Sequence, residues 1–287
     1  MKRMNKTKYV EEIVVRVLMY LSVAIVFAFV ASILWIIFRK GFSSITWEMI
    51  STVPNNGFFS SSGGGGFLNA IIGSLYIVVA STLLGLLVSV PIVAYLNIYL
   101  RSDSRLGYLV RLTYDVLYGV PSIVYGAFAF VIMIAVGMRP SLGAGIVVTT
   151  MLIIPIMVRS MDEVAKNFPR RILEATYSMG ATRWESVRVM LRQIMPGLAT
   201  ATLLSLGRAI GDTAAIMFTA GFSDYIPTSL GHQTATLPLS IFNLLTMPSS
   251  TVQDKAYAAA LVLTVLVLII SLTGRWISRR FSKNKIG

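Results

Sequence analysis

Arg208 and Asp212 lie four residues apart inside a stretch that is otherwise almost entirely apolar. On a helix that spacing puts both side chains on one face, where they can meet as an ion pair. A charge buried in lipid costs from about 2.5 to above 10 kcal/mol, so both are expected to face the interior of a bundle. The guanidinium stays charged at any relevant pH, and its planar fork matches the oxygens of an oxyanion such as phosphate. The residues alone leave two readings open: a fixed pair that pins two helices, or a transient site where a passing anion replaces Asp212 as the partner of Arg208. Arg159 has a weaker claim, because snorkelling to lipid headgroups accounts for it.

Other chemistries are excluded by what the chain lacks. There is no cysteine, so thiolate catalysis, thiolate metal sites and disulfides drop out. His232 is the one histidine and reads as an ordinary polar loop residue. No phosphate-cradling loop of the G-x-x-x-x-G-K-[ST] kind is present, because the glycines at 63–66 are followed by Phe67 and Leu68 rather than by lysine. The chain is therefore read as having no cofactor and as not being an enzyme.

The elements that must position these residues follow from composition. Hydrophobic residues make up 55% of the 287 and charged residues 13%, where a soluble domain carries about 25% charged. The mean hydropathy is +0.75. Uncharged runs such as 17–38 and 256–272 approach the roughly 20 residues a helix needs to span lipid. The first is longer than the apolar part of a signal peptide and no small-residue cleavage site follows it, so it reads as a retained span. Spans are predicted at 17–38, 68–97, 114–136, 143–161, 198–222 and 256–276. The fold class is all-α, a polytopic membrane helix bundle with about six transmembrane helices.

Charge orients the bundle. Alternate connecting segments hold twenty of the Lys and Arg residues, the opposite set holds only Arg39, Lys40, Arg139 and Lys255, and Arg208 stands inside a span. Both termini are accordingly expected in the cytoplasm. The net charge of +13 reads as an orientation signal toward membrane lipid and not as a nucleic-acid surface. The predicted organisation is a cytoplasmic segment 1–16, a transmembrane domain 17–276 and a basic cytoplasmic tail 277–287. Outward loops are expected at 39–66 and 223–255, with residues 237–245 too short to span and suited to a re-entrant or interfacial helix.

The inner segment 167–196 reads as a helical hairpin. Asn167 is the expected N-cap with Pro169 in the first turn. Gly180 is the expected left-handed stop, and Thr182-Arg183-Trp184-Glu185 is a capping box. Pro196-Gly197 is expected to close the second helix. The mixed apolar and basic faces suit either anionic lipid or a groove on a partner protein.

Residues 174–180, Glu-Ala-Thr-Tyr-Ser-Met-Gly, resemble the EAA-x-x-x-G coupling motif of the permeases of ATP-binding-cassette (ABC) importers. The resemblance implies a type I ABC importer permease fold and contact of Glu174, Ala175 and Gly180 with an ATP-hydrolysing subunit. Thr176 stands at the motif's second alanine, and Ile194-Met195-Pro196 comes three residues later than the family's closing proline. Residues 119–126, Gly-Val-Pro-Ser-Ile-Val-Tyr-Gly, resemble the third-span signature of phosphate permeases, and Thr182-Arg183-Trp184 continues their coupling loop. Residues 207–214 resemble their R-A-I-G-E-T-A, with Asp212 where glutamate is usual, and 218–220 and 237–242 favour the PstA-type subunit. That resemblance implies inorganic phosphate as cargo and Arg208 and Asp212 on its path. The implied partners are two ATP-hydrolysing ABC subunits, a sister PstC-type permease and an extracytoplasmic phosphate-binding protein, at the inner membrane of a prokaryote. The alternatives are a permease for molybdate or sulfate, which the third- and fifth-span signatures oppose, and an ATP-independent carrier or channel. The latter would show inverted repeats or several intramembrane carboxylates, whereas the sequence offers Asp212 as the main deep one and Asp115 near a boundary.

Overall fold

The computed structural model of the chain describes residues 6–55, 65–101 and 103–282. Among them, the chain is helical apart from its connections, including the long segment 220–236, and one isolated bridge between Pro54 and Gly65. The glycine-rich stretch before Gly65 lies outside the described residues, as do the first five and last five residues.

α1 (Lys6–Ser44) is uncharged on all sides over 17–38 and packs along α11 (Ser250–Ser282), leaving most of its surface exposed, as suits a helix in lipid. Ser22 and Ser32 donate to the carbonyls of Leu18 and Ala28 at 2.9 and 2.7 Å, so both serine hydroxyls are satisfied within the helix. α1 touches α11 closely at Gly41, where a Cβ would lie 2.7 Å from Tyr257 O. Both terminal helices run past the predicted spans, so residues 6–16 and 277–282 extend α1 and α11 and form no separate segments.

α3 (Leu68–Ala94) and α6 (Leu142–Lys166) form the centre. Gly85 lets them approach, since a Cβ there would lie 3.0 Å from Met157 Sδ and 3.2 Å from Ile153 Cδ1. A cluster including Val93, Ile153, Met157, Met161 and Met190 fills one end of the bundle. α3 ends in a π-helical turn, Tyr95–Tyr99, four residues after Pro91. The short α2 (Trp47–Ser51) precedes them.

The third predicted span, 114–136, is not one helix. α4 (Arg105–Gly119) and α5 (Ser122–Ala135) meet at 98°. Val120 is extended at φ −71°, ψ 128°, the conformation that a following proline favours. Hydropathy could not register the bend because both arms are apolar at the joint.

The fifth span also differs. α8 (Arg183–Gly211) runs unbroken from the hairpin into the bundle, with Pro196 inside it. Pro196 therefore closes nothing. In a membrane helix an internal proline is tolerated; the Pro196 carbonyl itself accepts from Thr200 Oγ1 at 3.0 Å and, across to α11, from Ser278 Oγ at 3.2 Å. The next residue, Gly197, faces Val164 so closely that any Cβ would collide with it. The break comes later, at Asp212–Thr213, before α9 (Ala214–Thr219). Asn167 is likewise not an N-cap: it ends α6, its Nδ2 donating to Glu163 O at 3.0 Å, and Pro169 precedes α7 (Arg170–Ser178). α10 (Leu237–Leu245) packs against α3 and α11 with Leu237, Pro238, Leu239, Ser240 and Leu244 buried, while Phe242 and Leu245 stay exposed on its other side.

α5 meets α9 at Gly126, where a Cβ would lie 2.8 Å from Ala215 O and 2.9 Å from Ala214 O. Gly126→Val should destabilise the purified protein by about 1–3 kcal/mol through overpacking against backbone. Gly119→Ala, with nothing within 4 Å of its Cβ, should leave the thermal unfolding midpoint unchanged.

Candidate functional site

The most heavily coordinated side chain near the hairpin is Asp162, which is fully buried at the last turn of α6. Arg111 of α4 binds it bidentately, Nε to Oδ2 at 2.9 Å and Nη2 to Oδ1 at 3.1 Å. Tyr114 donates its hydroxyl at 2.6 Å and Asn97 of the π-helical turn donates Nδ2 at 2.8 Å. Lys166, one turn on, pairs at 2.8 Å. A carboxylate can be taken out of water only when its oxygens are matched in this way. The π-helical turn supplies one of the matches: Asn97 reaches Asp162 while also donating to Val93 O at 2.9 Å.

A second pair flanks the first. Asp115 of α4 meets Arg159 of α6 at 3.1 Å, and the Arg159 guanidinium lies 4.9 Å from the Tyr118 ring centroid. Arg159 thus has a protein partner rather than only lipid headgroups. The helices run in opposite directions here, Arg111 facing Asp162 and Asp115 facing Arg159. Sliding α4 by one turn would set Asp115 against Asp162, or Arg111 against Arg159. Like-charge repulsion therefore fixes the register.

The hairpin is built from local signals. Gly180 is in the left-handed region at φ 82°, and its N–H donates to Tyr177 O at 2.9 Å. Thr182 caps α8: Glu185 N donates to Thr182 Oγ1 at 3.3 Å and Thr182 N donates to Glu185 Oε2 at 2.7 Å. Glu174, Ala175 and Gly180 are exposed on the outer side, beside Met179 at 88% and Trp184 at 62% exposure. Five exposed residues that include two large apolar side chains form a surface suited to a partner. Arg183 points the other way, its guanidinium 5.8 Å from the Tyr99 ring centroid and Nη1 3.5 Å from Tyr99 O, so it ties the hairpin to the π-helical turn.

The expected pairing of Arg208 with Asp212 does not occur. Asp212 is extended at φ −80°, ψ 123°, so helical spacing ends at Gly211. Its buried carboxylate turns inward and accepts from Ala215 N at 3.0 Å, capping α9. Asp212 is thus committed to backbone. Arg208 is exposed and has no hydrogen-bond or ion-pair partner among the described residues. It shares an open stripe of α8 with Thr200, Leu204, Gly207 and Gly211, and a Cβ at either glycine would meet nothing within 4 Å.

A bundle broken at two crossing points, with a capped hairpin at one end, can be compared with known proteins. Residues 83–284 match the family described as the binding-protein-dependent transport system inner membrane component. The chain belongs to that family. It is a multi-pass inner-membrane protein and the permease component of an ABC importer. Among its relatives, the phosphate transport system permease protein PstA of Yersinia pestis is 30% identical over 94% of this chain and 90% of that protein. The protein PstA 2 of Mycobacterium bovis is 33% identical over 77% of this chain and 75% of that protein. Inward-facing MetNI methionine ABC transporter superposes with a TM-score of 0.64 at 22% identity, covering 75% of this chain and 95% of the other. A bacterial ABC transporter that imports alginate does so at 0.63 and 17% identity, covering 95% and 98%. These two superpositions establish the type I importer permease fold. Membership of this family sets aside the ATP-independent carrier.

Sequence reading singled out the hairpin but missed the Asp162 centre. Its partners lie 48 to 65 residues away in the chain, except Lys166. The Asp162–Lys166 spacing on one helix face was the only local signal. Asp162→Ala should destabilise the protein by about 2–3 kcal/mol, because it leaves the buried Tyr114 hydroxyl and the part-buried Arg111 guanidinium without their acceptor. Asp115→Ala, removing a half-exposed pair, should cost at most about 1 kcal/mol. Thermal unfolding of the two purified variants separates these values.

Proposed function

We infer that this permease passes inorganic phosphate along the open face of α8, with Arg208 as the anion's transient partner. The observation that carries the reading is the arginine itself: a permanently charged fork, exposed and unpartnered, on the helix that runs from the hairpin to the break at Asp212. The PstA relatives bring phosphate as the cargo. A guanidinium offers two parallel N–H donors to two phosphate oxygens. Asp212 contributes differently from expectation: it holds the break in shape and keeps its charge away from the arginine.

The remaining parts follow from the same reading. A sister permease of PstC type covers the α8 stripe, so that the path lies between two chains. The hairpin faces the cytoplasm, where Glu174, Ala175, Gly180, Thr182 and Trp184 seat it on one of two ATP-hydrolysing subunits, and Arg183 anchors it to the bundle. Both termini share that side. At the opposite end, a cleft of about 760 Å³ lined by residues including Arg139, Tyr225, His232 and Gln233 meets the phosphate-binding protein. His232 holds this loop through Thr228 at 3.1 Å. ATP closure of the partner subunits moves the hairpin, and the ion pairs of α6 with α4 carry that movement to α5 and its contact with Ala214–Ala215.

Arg208→Ala in the assembled transporter should abolish phosphate uptake and phosphate-stimulated ATP hydrolysis while the complex still purifies intact. Arg208→Lys, which keeps the charge and loses the fork, should retain a small fraction of uptake. Sulfate and molybdate should fail to stimulate the wild-type ATPase. Normal phosphate uptake by a well-assembled Arg208→Ala transporter would overturn the assignment.

A further inference from the structure

We propose that the cleft between α4, α6 and α7 binds a phosphate group, carried either by an anionic phospholipid headgroup or by free phosphate. The cleft has a volume of about 250 Å³ and is lined by Asn97, Arg111, Lys166 and Arg170, with Leu173 and Met190 as an apolar wall. No carboxylate lines it. Asp162 lies beneath and is shared by Arg111 and Lys166, so these two cations face a single buried anion and leave one positive charge over. Such an excess attracts an anion, and basic pockets between membrane helices are of the kind that take phospholipid headgroups.

The donors available are specific. Arg111 spends Nε and Nη2 on Asp162, and its Nη1 has no partner among the described residues. Lys166 offers three donors, gives one direction to Asp162 and is half exposed. The N-terminus of the nine-residue α7 opens here without a side-chain cap, since Pro169 precedes it, so its positive end adds to the field. Depth agrees with a headgroup. The 25 residues of α6 extend about 38 Å, more than the roughly 30 Å of hydrocarbon, which puts the last turn and Lys166 at a lipid–water boundary. A phosphate group in the cleft bridges α4 and α6 to the first turn of α7. It therefore braces the hairpin against the bundle, a role that does not depend on Arg208.

The test uses the assembled transporter in nanodiscs and native mass spectrometry, which reads assembly and bound molecules together. Lys166→Gln leaves Asp162 with Arg111, Tyr114 and Asn97, so the fold is retained, and Lys166→Arg keeps the charge. With phosphatidylglycerol in the nanodisc, wild type and Lys166→Arg should each hold one more phosphatidylglycerol per copy of this chain than Lys166→Gln. That result identifies the lipid as the source. If the difference appears instead as one inorganic phosphate in neutral phosphatidylcholine nanodiscs, the source is free phosphate. Should Lys166→Gln and Lys166→Gln/Arg170→Gln match wild type in both measurements, the cleft holds no phosphate group and the proposal fails.

Discussion

The architecture turns on one buried carboxylate. Asp162 has no exposed surface, and a charge in that position is tolerable only while its oxygens are fully coordinated. The groups that coordinate it come from the π-helical turn, α4 and α6, so these three elements cannot separate without orphaning the charge. Two features that otherwise look irregular follow. The extra residue per turn after α3 brings Asn97 to bear on Asp162. α4 is held antiparallel along the end of α6 by the Arg111–Asp162 and Asp115–Arg159 pairs, and the 98° bend at Val120–Pro121 turns the chain from there into α5.

Deep in a membrane, irregular backbone survives only where its polar groups are satisfied by protein. Both breaks meet that condition with side chains. Tyr125 donates its hydroxyl to Leu117 O at 3.0 Å across the α4–α5 bend. Asp212 accepts from Ala215 N across the α8–α9 break, and Ser141 N donates to Thr219 O at 2.8 Å to hold the end of α9. The breaks are also neighbours: Gly126 of α5 sits on the carbonyls of Ala214 and Ala215, and the rings of Phe130 and Phe218 lie 6.0 Å apart beside them. The two sequence stretches that resemble phosphate-permease signatures are thus halves of one contact.

What was legible in the sequence was local. The apolar runs of α1, α3, α6 and α11 are dictated by lipid thickness, and hydropathy reads that directly. Gly180 and the Thr182–Glu185 box act within four residues, so their geometry follows from spacing. Readings failed where a local rule met a non-local constraint. Pro196 reads as a helix stop, yet α8 continues through it and packs against Val164 of α6 at Gly197 and against Ser278 of α11. The i,i+4 rule joined Arg208 to Asp212 on the assumption of a continuing helix, and α9's need for a cap took the carboxylate elsewhere. Asp162 escaped because nothing near it in sequence announces Arg111, 51 residues away.

Freeing Arg208 from Asp212 changes how a transport site of this kind would work. An arginine already paired must be exchanged from its carboxylate before it can hold an anion, and the anion then competes with a partner of fixed position. With Asp212 bound to Ala215 N, this chain supplies an uncompensated cation whose cost in lipid is relieved only by water, by an anion or by another chain. The glycines at 207 and 211 leave room on that face for any of the three. On the proposed reading, attraction is therefore strong at long range while one fork makes few short contacts. That combination admits a phosphate and still lets it leave, which a deeper, multiply liganded site would not do.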